Sequence, residues 1–114
     1  MAECIFCRII AKEIPCRAVM ETEQILAFHD IQPKAPVHVL IVPKRHIATL
    51  SDFPDDPAIA GALFRAFPAI AKACGIDAAG YRVIANTGRD GGQEVFHVHF
   101  HLLGGRPLGG FGGV

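Results

Sequence analysis

VFHVHFHLL, residues 95 to 103, alternates apolar side chains with histidine at every second position. On an extended strand successive side chains point to opposite faces. Phe96, Val98, Phe100 and Leu102 then share one side, and His97, His99 and His101 the other. The apolar side suits packing under a helix. The opposite side displays a row of imidazoles that core formation does not explain. The run predicts a strand and, on it, a reactive surface.

The flanking sequence supplies partners for that strand. VHVLIV at 37–42 is a β-branched run bracketed by Pro36 and Pro43. Residues 17–21 and 25–29 read as a strand pair around Thr22 and Glu23, and YRVIAN at 81–86 as a further strand before the turn-rich TGRDGGQ. Residues 4–11 predict a short helix with Phe6, Ile9 and Ile10 on one side. A longer helix has Asp55 or Asp56 as its cap, Pro57 at its first position and Gly75 at its exit. Ile59, Leu63, Phe67, Ile70 and Cys74 give it one apolar stripe, and Pro68 predicts a bend. These elements predict an α+β domain whose antiparallel sheet is covered on one face. No repeat or linker divides residues 1–114, so one domain is expected, with the Gly-rich tail 104–114 lacking regular structure of its own.

Composition narrows the function. Lys plus Arg equal Asp plus Glu at 11 each, and no basic cluster exceeds Lys44-Arg45, which argues against DNA, RNA or anionic-membrane binding. No stretch approaches the ~20 apolar residues of a membrane span. Charges interrupt the N-terminal apolar run, unlike a signal peptide, so a cytoplasmic location is expected. Cysteines are reduced there, and Cys4-x-x-Cys7 reads as a metal or redox pair, whereas Cys16 and Cys74 read as interior residues.

Two chemistries suit a row of imidazoles. A catalytic metal is one, since His-x-His on a strand places two ligands on one ion. Nucleophilic attack at phosphorus is the other: a neutral ring nitrogen forms a phosphohistidine, while a neighbouring protonated ring holds an oxyanion. The loop Asp90-Gly91-Gly92-Gln93 precedes the row and offers backbone N–H groups and an amide to developing phosphoryl charge, which favours phosphorus.

HVHFHLL fits the pattern His-φ-His-φ-His-φ-φ, with φ apolar. With CIFCRII, ILAFHDIQPKAPVHVLIVPKRHI and GYRVIANTGRDGGQEVFHVHFHLLGGRP, the chain resembles the histidine-triad (HIT) superfamily along nearly its whole length. The Gly-Gly-Gln before the motif and the Gly-Gly pair after it resemble the Hint branch, the purine nucleoside phosphoramidases. The resemblance implies a HIT-like fold, a five-stranded antiparallel sheet with two helices, and a homodimer that joins two such sheets. It implies hydrolysis of the P–N bond in AMP-amine conjugates. Cleavage of dinucleoside polyphosphates, or a nucleotide-binding module with little catalysis, are the alternatives; a zinc-dependent hydrolase built on the histidine row is a further one.

Residue by residue, the resemblance makes His99 the nucleophile, with its Nδ1–H given to the backbone carbonyl of His97. His101 and Gln93 hold phosphoryl oxygens, and His38 completes the set. Ile5, Phe6, Ile9, Phe28, His29, Ile31 and Leu40 line the nucleoside pocket, Asp30 takes the ribose hydroxyls, and Asn86 and Gly92 lie near the phosphate. Glu94 stands where animal relatives often carry Ser and disfavours an anionic leaving group. Relatives with an N-terminal Cys-x-x-Cys imply a structural zinc on Cys4, Cys7, His46 and His97, with no catalytic metal. The partners implied are a purine nucleoside monophosphate or its phosphoramidate and a second copy of the chain.

Overall fold

The structure is a computed structural model that describes residues 4–110. The end of the Gly-rich tail, 111–114, lies outside the described residues. A short helix α1 (Ile5–Ile10) leads to strands β1 (Ala18–Glu21), β2 (Ile25–His29) and β3 (Val37–Pro43). Helix α2 (Pro57–Ala73) connects these to β4 (Tyr81–Ile84) and β5 (Phe100–Gly104). All neighbours pair antiparallel in one sheet of order β1-β2-β3-β5-β4. No helix among the described residues is long and apolar enough to cross a membrane.

Helix α2 starts where its sequence directs. Asp56 accepts from the amides of Ala58 and Ile59, and Pro57 occupies the first turn, where its missing N–H is no loss. It runs unbroken through Pro68, and Gly75 leaves it at φ 74°. Ile59, Leu63, Phe67 and Ile70 pack on Ile25, Ala27, Val39, Ile41, Phe100 and Leu102 to form the main core.

The opposite face is not left open, as the sequence predicts, but partly covered by α1. Phe6 and Ile9 pack there on Leu26, Phe28, Leu40 and Val42. Because every second residue of β2 and β3 faces each way, both strands are apolar apart from His29 and His38, and almost wholly buried.

The histidine run also departs from expectation. Ladder pairing starts at Phe100, opposite Ile41, and residues 95–99 approach the sheet as irregular chain. Val98, Phe100 and Leu102 join the α2 core, whereas Phe96 is 47% exposed. Likewise β4 ends at Ile84, two residues early. Cys16 is exposed rather than interior: it precedes β1, the edge strand beyond which no further strand pairs among the described residues.

Candidate active site

His38 on β3 and His101 on β5 come from adjacent strands and face the α1 side; His99 lies just before β5. They line a cleft of about 420 Å³ with Phe6, Asp30, Lys34, Leu40, Ile84, Asn86, Gly92, Glu94, Val95 and Leu103. The row of three imidazoles is therefore not one display. His99 and His101 meet in the cleft at a ring separation of 5.1 Å, while His97 turns away and is 0% exposed.

Backbone partners determine which ring nitrogen carries each proton. A carbonyl only accepts and an amide N–H only donates, so the nitrogen facing each one is assigned. His99 Nδ1 donates to the His97 carbonyl at 2.8 Å, leaving Nε2 with its lone pair. His97 Nε2 donates to the Pro43 carbonyl at 2.8 Å, leaving Nδ1 with its lone pair. His38 Nδ1 accepts from the Lys34 amide at 3.1 Å, so its Nε2–H faces His101 Nδ1 at 3.0 Å and Asp30 Oδ2 at 3.4 Å. His101 then carries its proton on Nε2. One lone pair, on His99, and one ring donor, on His101, result.

Burial disfavours the charged form of His38 and His101. It lowers His38 below the usual histidine value and takes His101 down to about 4, helped in His101 by the neighbouring His99 and His38. At neutral pH the His38–His101 pair is therefore an uncharged, directional hydrogen-bonded unit.

The loop before the histidines is arranged differently from the sequence expectation. The amides of Gly92 and Gln93 donate to Arg89 and Gly88 carbonyls. Gln93 Nε2 donates to the carbonyls of Ala48 and Val95, and its Oε1 accepts from Gly88. Both amide hydrogens of Gln93 are thus committed to holding the loop and not to a phosphoryl oxygen. Gly91 is required by space, since a Cβ would sit 2.3 Å from the Thr87 carbonyl oxygen. Gly92, at the cleft wall, has φ 81°.

Other anticipated pocket residues fall in two groups. Phe6, Asp30, Leu40, Asn86 and Gly92 line the cleft. Ile9 and Phe28 are buried beneath it, with Phe28 edge-on to Phe6 at 5.8 Å. His29 ends β2 half-buried; Ile5 is exposed, and Ile31 is 95% exposed on the loop after Asp30. Lys34 and Ile84 are cleft residues that the sequence reading did not single out. The antiparallel register of β4 with β5 places Ile84 there, because it pairs with His101.

Cys4, Cys7, His46 and His97 converge at a second place, outside the cleft lining. His97 Nδ1 lies 3.4 Å from Cys4 Sγ, 3.6 Å from Cys7 Sγ and 3.2 Å from His46 Nδ1, and Cys7 Sγ lies 3.3 Å from His46 Nδ1. Tetrahedral zinc, with bonds of about 2.0–2.3 Å, spaces its ligand atoms by roughly 3.3–3.8 Å. The donor set fits, and the His97 lone pair already points inward. Burial, with Cys4 beside it, pushes the Cys7 thiol up to about 11, so a cation would have to displace its proton. Asp30, His38 and His101 also lie close together, but His38 Nε2 carries a proton and has no lone pair to offer a metal there.

A sequence model of the HIT domain matches residues 11–108. The purine nucleoside phosphoramidase of Escherichia coli K12 is 48% identical over 108 residues, covering 94% of this chain and 91% of that protein. A histidine triad protein from Clostridium difficile superposes with a TM-score of 0.93 at 46% identity, covering 97% of each chain. A HIT family hydrolase from Legionella pneumophila superposes with a TM-score of 0.88 at 47% identity, covering 95% of this chain and 97% of the other. The chain belongs to the HIT domain family.

Proposed function

We propose that this HIT-type enzyme hydrolyses the P–N bond of purine nucleoside 5′-phosphoramidates through a covalent intermediate on His99. The single observation that carries this reading is the His99 ring: its Nδ1–H is held by the His97 carbonyl, and its Nε2 lone pair belongs to a residue lining the cleft. Attack by Nε2 forms an N–P bond as the P–N bond to the amine breaks; the amine nitrogen takes up one proton from solvent, and the water that attacks in the second step returns one. The ring becomes cationic, which the His97 carbonyl stabilises through the same hydrogen bond. Water then attacks phosphorus, releasing AMP and restoring neutral His99. The Nε2–H of His101 supplies a donor for a phosphoryl oxygen.

Asp30 is available for ribose through Oδ2, since Oδ1 accepts from the Gln32 amide at 2.8 Å. Phe6 and Leu40 provide apolar cover for the nucleoside. The relative named purine nucleoside phosphoramidase supports the substrate class. Lys34 in the cleft favours a second reading, cleavage of dinucleoside polyphosphates, whose leaving group is anionic; Glu94 opposes it.

The four-ligand cluster is proposed to hold structural zinc. Bound there, the ion supplies cross-linking of α1 to the chain around it and not Lewis-acid chemistry, because none of its ligands lines the cleft. Thiolate ligands need reduced cysteines, which supports a cytoplasmic location. A homodimer is supported by the β4 edge, which no other strand pairs among the described residues and where Tyr81, Val83 and the adjoining Phe64 are exposed.

The test is release of amine from an adenosine 5′-phosphoramidate by the zinc-loaded protein, beside a diadenosine polyphosphate. Release from the phosphoramidate is expected to dominate. Faster cleavage of the polyphosphate would replace the reading with the second one, and tight AMP binding without turnover of either would make the protein a binding module.

A further inference from the structure

The carbonyl that assigns the His99 proton belongs to a residue that the sheet does not hold. Residues 95–99 precede the β5 ladder, which begins at Phe100. His97 is placed chiefly by its own side chain, with Nε2 donating to Pro43 and Nδ1 facing Cys4, Cys7 and His46. The nearest backbone anchor is the Val98 amide, which donates to Ile47 at 2.7 Å. Cys4 and Cys7 stand at and on α1. Between them in sequence, Phe6 meets the His99 ring edge-on at 5.0 Å and the His97 ring at 5.9 Å.

We infer that the Cys4–Cys7–His46–His97 cluster, holding its metal, positions the nucleophile: by fixing His97 it fixes the carbonyl that keeps His99 in its Nδ1–H form, and by fixing α1 it holds Phe6 against the His99 ring. The inference rests on His99 being the nucleophile. Cys4, Cys7 and His46 are positioning residues, since none lines the cleft. Without the metal, the Pro43 bond remains but segment 95–99 gains freedom. His99 then samples the form in which Nε2 carries the proton and has no lone pair for phosphorus. The main core survives this loss, because none of the four ligands belongs to it.

The experiment records long-range ¹H–¹⁵N spectra of the histidine rings in zinc-loaded and metal-free protein, well below the melting temperature, together with kcat and KM for an adenosine 5′-phosphoramidate. The loaded protein should show His99 in one tautomer. The metal-free protein should show a mixture, with kcat down by about tenfold or more, the scale of lost outer-shell support, and KM changed less. His46→Cys keeps four ligands and should behave as loaded wild type, whereas His46→Ala should behave as the metal-free protein. A metal-free protein that has lost only thermal stability, with His99 spectrum and kcat unchanged, would overturn the inference. Outright unfolding on metal removal would overturn it too, because the cluster would then hold the whole fold and not one segment. Absence of turnover by the loaded wild type would instead sink the nucleophile reading, and the ring spectra would still decide whether the cluster orders His99.

Discussion

The two faces of the sheet obtain their order by different means. Against α2, Val39, Ile41, Phe100 and Leu102 meet Leu63, Phe67 and Ile70 in an apolar interface. Toward α1, the same strands present His38 and His101, and the neighbouring His97 and His99 are buried as deeply as core residues. Packing volume orders the first face. On the second, single backbone groups do so: the Lys34 amide, the Pro43 carbonyl and the His97 carbonyl each fix one ring. A buried imidazole is tolerable only when its N–H is satisfied, so the bonds that stabilise this face also define its chemistry. Mutations on the two faces should therefore separate stability from activity.

The largest separation is expected for His99→Ala. Turnover should fall by on the order of a thousandfold or more, since the intermediate cannot form. Its melting curve should stay close to wild type; a collapse of the fold would show that His99 is chiefly structural. Leu63→Ala makes the opposite change. Loss of a fully buried leucine from the α2 core should lower unfolding free energy by about 2–5 kcal/mol, measured by denaturant titration, with kcat unchanged while the protein remains folded. An equal fall in kcat would contradict the division between the faces.

Acid should act through the histidine face. The folded protein holds His101 at about 4 against an ordinary value of 6.5, and His38 is lowered as well, so over that interval the unfolded chain binds protons that the folded chain refuses. Stability is thus full above about pH 6.5 and declines as pH falls toward 4. Asp30 opposes the shift in both rings, and Lys34 reinforces it. Replacing the imidazole in His101→Gln should reduce the pH slope of unfolding free energy by up to about one proton; an unchanged slope would place the titration elsewhere. The smallest effect is expected at Glu94, an exposed cleft residue. Glu94→Ser should raise kcat/KM for anionic leaving groups relative to neutral amines by a few-fold, consistent with a screened charge worth roughly 0.2–1 kcal/mol. No change in that ratio would remove Glu94 from leaving-group selection.

Much of this contrast is legible in the chain itself. Period-two alternation around Phe100, a capped apolar stripe from Asp56 to Gly75 and the β-branched run before Pro43 identify the elements and the α2 core. The histidine motif identifies the family that the sequence model matches. Alternation misleads at 95–99, because the His97 side chain and the Gln93 loop draw this stretch out of the ladder: pattern reports side-chain polarity and not hydrogen-bond pairing. For the same reason the cover supplied by α1 was not visible. Six helical residues carry too little apolar surface to specify their own docking partner. Tertiary backbone contacts also escape sequence inspection. Gln93 resembles a phosphate donor in sequence, yet its amide secures Ala48 and Val95. Proton placement on each ring depends on Pro43 and Lys34, which carry no motif of their own.

The central claim is that Nε2 of His99 forms a bond to phosphorus. Its most direct test is acid-free rapid quenching of the zinc-loaded enzyme during turnover of a slow adenosine 5′-phosphoramidate, followed by peptide mass spectrometry. A nucleotidyl adduct on His99, formed and consumed as fast as turnover, is predicted. Turnover at the normal rate with no adduct at any time, or an adduct confined to another histidine, would contradict it.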